Sequence, residues 1–151
     1  MNNIATFNSI NFHVATPDGA MFVNVMEDKE GKPFKIITSI GKCGTAVAAW
    51  AQAFDLVASE TLENGGSVNK LIEILSGITS AGIRILPAGE TVRSGPEGVC
   101  LALMRYRQSK FQELKNTLGL MSDFSRNNDN EDDDDDEDEY DLENRPARAF
   151  R

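Results

Sequence analysis

Five consecutive residues, Gly41, Lys42, Cys43, Gly44 and Thr45, carry the densest chemistry in this sequence. They follow an alternating apolar stretch, PFKIITSI, and open an alanine-rich one, AVAAWAQAF, so a strand turns into a helix here. The first N–H groups of a helix lack partners within it, and the aligned peptide dipoles place partial positive charge there. With Lys42 as an ammonium and Thr45 as a cap, such an end suits an anion, a phosphate above all. The order is not that of a P-loop, in which four residues separate the glycines and the lysine follows the second. Two readings therefore stand: a ligand-binding site formed by Gly41, Lys42, Gly44 and Thr45, or a glycine corner that only lets the chain turn. Arg84 and Arg93, flanking a glycine-rich stretch at 78–95, would add positive charge to such a site.

The remaining reactive side chains are few. Cys43, at a helix start, could have a lowered thiol pKa and be reactive, or it could be a small packing residue. Cys100 falls within helical periodicity and reads as core. His13 lies on the strand face opposite Phe12 and Val14, where a catalytic role is not expected. Without a nucleophile–base pair no hydrolase reading holds, and no catalytic residue is assigned. One histidine and two cysteines exclude a multi-histidine metal site, a four-cysteine zinc site and a disulfide framework within one chain. No metal and no cofactor are expected. Arg105, Arg107, Lys110 and Lys115 interleave with Tyr106 and Phe111 near residue 110. Basic residues among aromatics can bind nucleic acid, but at 100° per residue these charges spread around a helix, which also fits a solvated amphipathic face.

The elements that would position these residues are legible from period and punctuation. Ile10, Phe12 and Val14 alternate with Asn11, His13 and Ala15, giving a strand with one buried face. TPDG at 16–19 is a type I turn pattern. AMFVNVMED forms a second strand and DKEGK a polar turn, and a third strand places Phe34, Ile36, Thr38 and Ile40 on one face. From Thr45 to about Asn64 a helix carries Val47, Trp50, Phe54, Val57 and Thr61 on one stripe, widened by alanines. Asn64, Gly65 and Gly66 end it, and Ser67 caps a second helix with Val68, Leu71, Ile72 and Leu75 inward. Gly77 closes that helix, and Ile83 and Ile85, with Leu86 as a further member, mark a short extended piece. Pro96, with Ser94 or Gly95 before it, starts a third helix whose apolar face is Val99, Leu103 and Tyr106. Its continuation keeps the period through Phe111, Leu114 and Leu118 before Gly119.

Charge divides the chain of 151 residues sharply. Residues 1–126 hold 12 Lys/Arg and 12 Asp/Glu, whereas 127–151 hold 3 Arg and 12 acids, so the net charge of -9 belongs to the tail. A run such as NNDNEDDDDDEDEYDLE buries nothing and repels itself, and disorder is expected. The tail could simply solvate the protein, or it could act as a polyanion that competes for a basic surface. The sequence has no apolar run long enough for a membrane span and no basic-plus-apolar leader, so a soluble, cytoplasmic protein with no membrane partner is expected.

Three stretches together resemble a known family: TPDGAMFVNVMEDKEGKPFKIITSIGKCG, AVAAWAQAFDLVASETLENG and GIRILPAGETVRSGPEGVCLAL. They are similar to the TSCPD domain, found near the C-terminus of adenosylcobalamin-dependent ribonucleotide reductases and also as a separate small protein. The resemblance spans roughly residues 10–106. In place of the Thr-Ser-Cys-Pro-Asp motif this chain has Arg93, Ser94, Gly95, Pro96 and Glu97. A second family cysteine, in a Gly-Ile-Arg-Cys-Pro stretch, is also missing from Gly82-Ile83-Arg84-Ile85-Leu86-Pro87. A metal or redox role resting on those thiols is therefore not expected. The resemblance implies a context in deoxynucleotide metabolism, without a reductase active site in a chain of this length.

The expected fold is α+β: an N-terminal antiparallel meander of at least three strands packed against two or three helices. The domain is assigned to 1–126 and the acidic tail, with its short basic and aromatic end, to 127–151. The expected function is a non-catalytic accessory protein binding a nucleotide or a ribonucleotide reductase subunit. A nucleotide-capturing protein independent of a reductase, and a nucleic-acid-interacting protein regulated by its tail, are the alternatives. A homo-oligomer is expected because a small sheet leaves free edges.

Overall fold

Alternation over residues 8–40 produces three antiparallel strands in a meander, β1 (Asn8–Thr16), β2 (Gly19–Glu27) and β3 (Pro33–Ile40). This computed structural model describes residues 6–128. β1 and β2 stay in register from Asn8↔Glu27 to Thr16↔Gly19, and β2 and β3 from Met21↔Ile40 to an irregularity at Met26/Glu27. Because side chains alternate between faces, one face gathers Val14, Met21, Val23, Val25, Ile36 and Ile40, all buried. Thr16 ties the first turn, its hydroxyl donating to the Gly19 carbonyl (2.8 Å) and accepting from the Asp18 N–H (3.2 Å).

Two helices follow, α1 (Ala46–Glu63) and α2 (Val68–Leu75). Between them Gly65 N–H donates to Leu62 O and Gly66 N–H to Thr61 O, the paired bonds of a Schellman stop. The buried line of α1 is Ala51, Ala58 and Leu62, with Val47, Trp50 and Phe54 partly buried beside it. This corrects the expected stripe: Val57 is 66% exposed. The stripe is rotated because α1 turns polar residues toward the outer edge of β3. There Ser59 Oγ accepts from the Ile36 N–H (3.2 Å), and Asp55 Oδ2 accepts from the Thr38 N–H (2.7 Å). Burial raises the Asp55 carboxyl pKa, with its hydrogen bonding to Thr38 working against that rise. The β3 edge is thus occupied by the protein's own helix. In α2, Val68, Leu71 and Leu75 are buried as their spacing predicts.

The stretch after α2 holds more structure than one extended piece. β4 (Arg84–Ile85) and β5 (Thr91–Val92) form a small antiparallel hairpin, fastened by Leu86 N–H to Glu90 O (2.8 Å). α3 (Gly95–Asn128) comes next, with Val99, Leu103 and Tyr106 buried as expected. Cys100 is buried in the same face, its thiol donating to Ile72 O (3.6 Å). The helix does not stop at Gly119. A single glycine costs a helix about 1 kcal/mol against alanine and does not end one by itself.

The chain divides into two units, Met1–Glu113 and Leu114–Arg151. The first contains the sheet, α1, α2, the hairpin and α3 as far as Glu113. What is described of the second is the helical stretch ending at Asn128. The acidic run from residue 129 onward, expected to be disordered, lies outside the described residues. No helix among the described residues is long and apolar enough to cross a membrane.

Candidate functional site

Each of the three helices begins at a hydroxyl cap, and the three starts differ in what surrounds them. At α1, Thr45 Oγ1 accepts from the Ala48 N–H (3.3 Å) and donates to Lys42 O (2.8 Å). Gly41 and Gly44 have φ of 67° and 83°, a region that disfavours side chains, so the turn alone demands both glycines. All five residues of this loop are exposed, Cys43 included. The backbone turn thus accounts for both glycines.

The start of α3 is enclosed. Ser94 Oγ accepts from the Glu97 N–H (3.0 Å) and donates to the Ile78 carbonyl, while the Gly95 N–H donates to Asp18 Oδ2 (3.1 Å). The Glu97 carboxylate turns back to the Arg93 N–H and guanidinium, a variant of the capping box. That hydrogen bonding to Arg93 holds the Glu97 carboxyl below its ordinary pKa. A Cβ on Gly95 would stand 2.3 Å from Trp50 Cζ2, so the indole already fills the space that a side chain would need. Arg93 is thus engaged with Glu97 at this corner.

The start of α2 opens on a cleft of about 400 Å³. Its walls come from the β2–β3 turn with Lys32, from Ser67 and Asn69 at the head of α2, and from Tyr106, Arg107 and Lys110 of α3. Ser67 Oγ accepts from the Lys70 N–H (3.2 Å). Arg107 Nη1 donates to Asn69 Oδ1 (3.1 Å), bracing α3 against α2. Under the cleft Glu27, only 3% exposed, receives the Tyr106 hydroxyl (2.6 Å) and the Lys110 ammonium (2.8 Å) on its Oε1. Burial, then the bond to Glu27, pushes the Tyr106 hydroxyl pKa up, and the same carboxylate raises that of Lys110.

A larger cleft, about 620 Å³, lies between β1 and the β4–β5 hairpin. Arg84 and Arg105 line it together with His13 and the run Ile85–Ala88. Arg105, on α3, is paired with Glu90 in the turn of the hairpin. The His13 ring lies against Phe22, centroids 4.7 Å apart. Of the residues expected to bind a ligand, Arg84 is in this cleft. Sequence reasoning did not anticipate Lys32, Asn69 or Asp18. No local signature exists for them, because each matters through a partner 38 to 77 positions away or through a neighbouring turn.

A family model for the TSCPD domain matches residues 5–107. The chain belongs to the TSCPD-domain family. The match covers the sheet, α1, α2, the hairpin and the start of α3, and with them every residue lining the larger cleft and all of the smaller one's except Lys110. It fits a domain associated with ribonucleotide reductase. Neither a curated protein nor a solved structure matches the chain. In this TSCPD domain the stretch that resembles the name-giving motif, Arg93–Glu97, is the capped start of α3, and Trp50 stands against Gly95.

Proposed function

We propose that this TSCPD domain is a non-catalytic accessory protein of the ribonucleotide reductase system that binds a nucleotide between β1 and the β4–β5 hairpin. The observation that carries the reading is the make-up of the 620 Å³ cleft: the Arg84 guanidinium beside an apolar wall, with an imidazole opposite. A guanidinium pairs with phosphate through two parallel hydrogen bonds, while apolar and aromatic surface receives a base. The volume lies within the range of small-molecule sites. Family membership supplies the deoxynucleotide context.

Calorimetric titration of the full chain with ribo- and deoxynucleoside di- and triphosphates tests this. Arg84→Ala should weaken the tightest-binding nucleotide by about 1–3 kcal/mol, the range for charge-assisted hydrogen bonds. Lys42→Ala, titrated alongside, should leave it unchanged. Loss at Lys42 instead would move the site to the loop Gly41–Thr45, and absence of heat with every nucleotide would overturn the reading.

A further inference from the structure

The smaller cleft, at the head of α2, shares no lining residue with the Arg84 cleft and plays no part in the function proposed above. Its charge is one-sided. Lys32, Arg107 and Lys110 line it, and no carboxylate does. Glu27 and Glu113 pair with Lys110, and the Asp28 Oδ1 accepts from the backbone N–H groups of Glu30 and Lys32 at 2.9 Å each. The Lys32 ammonium has no ion pair among the described residues, and the Arg107 guanidinium has only the neutral Asn69 amide as partner. Lys32 and Arg107 thus line the cleft without an ion-pair partner among the described residues. Val68 and Asn69 add first-turn N–H groups to the same wall, reinforcing the sign of the field.

We infer that this cleft binds the terminal phosphate of a small phosphorylated molecule, at a site separate from the Arg84 cleft. Arg107 and Lys32 supply the charge-assisted hydrogen bonds. Lys110, held by Glu27 beneath, sets the floor rather than the affinity. Asn69 holds the Arg107 guanidinium in place before the ligand arrives, which reduces the ordering that binding requires. At about 400 Å³ the space takes a phosphate or diphosphate with a small attached group, not a folded macromolecule.

The test uses the full chain carrying Arg84→Ala, so that the larger cleft does not contribute, and inorganic pyrophosphate as the probe. One equivalent should bind, and the backbone amide resonances of residues 67–69 should shift on titration. Adding Lys32→Gln and Arg107→Gln together should lower the affinity at least tenfold. Both side chains are exposed, and an unchanged melting temperature would confirm that the fold is intact. Pyrophosphate binding equally well to the doubly substituted chain, or shifts confined to residues outside the cleft, would overturn the inference. Failure of nucleotides at the Arg84 cleft would leave this result untouched, so the two readings fall separately.

Discussion

The starts of α2 and α3 use the same device, a serine accepting an N–H three residues on, yet one is open and the other sealed. At α3, Ser94 is buried, Asp18 takes the Gly95 N–H, Glu97 folds back on Arg93, and Trp50 covers Gly95. At α2, Ser67 is exposed, and the first turn looks into a cleft lined by three cations. A helix start therefore does not bind an anion merely by being a helix start. What decides is whether the protein has already filled it. In this chain a carboxylate from the β1–β2 turn has done so at Gly95, whereas the start of α2 remains accessible.

The largest expected effect comes from breaking the sealed corner. Gly95→Cys should destabilise the fold by about 3 kcal/mol, the upper part of the range for overpacking, because the new Cβ meets the indole rather than a flexible chain end. Urea denaturation measures it. In the same experiment Trp50→Leu combined with Gly95→Cys should recover part of the loss, giving a coupling energy between two sites in contact. Independent, additive penalties would show that the indole does not hold the motif position closed.

Next come the two caps. Ser94→Ala should lose about 2 kcal/mol, since a part-buried N–H and a part-buried carbonyl lose their partner together, whereas Ser67→Ala should lose about 1 kcal/mol or less because water replaces the hydroxyl. Equal losses would erase the distinction between a sealed and an open start.

The smallest effect is on acid stability. Glu97 titrates below its ordinary 4.5 in the folded chain, so the folded state binds fewer protons than the unfolded one between those two values. Its contribution is complete above about pH 4.5 and is lost as pH falls through the lowered value. Glu97→Gln should flatten this part of the stability–pH curve. α2 has no acid in its first turn, and Ser67→Ala should leave the slope as it was.

Period and punctuation made most of the fold legible. The three strands, the caps Thr45 and Ser67, the glycine stop after Asn64 and the inward face of α3 all follow from residues within one turn or one pleat of each other. The β4–β5 hairpin was not legible, because two residues per strand give no period to detect. The rotation of α1 was hidden for a different reason. Asp55 and Ser59 look like solvent-facing residues on a helical wheel, and only the β3 edge reveals them as acceptors for strand N–H groups. Candidate site residues fared by the same rule. Gly41–Thr45 stood out because the motif is contiguous, while the cleft at α2 assembles residues 31–33, 66–69 and 106–110, none of which is distinctive alone.

The use of Asp55 and Ser59 has a consequence for how this domain meets other chains. A strand from another molecule seeking to extend the sheet beside β3 would need the N–H groups of Ile36 and Thr38, and both are already spoken for. Such a strand would first have to peel α1 away, exposing Ala51, Ala58 and Leu62 to water. The helix thus works as a selvedge: it finishes that border of the sheet, guards it against templated stacking, and leaves contacts with other proteins to be made through side chains there.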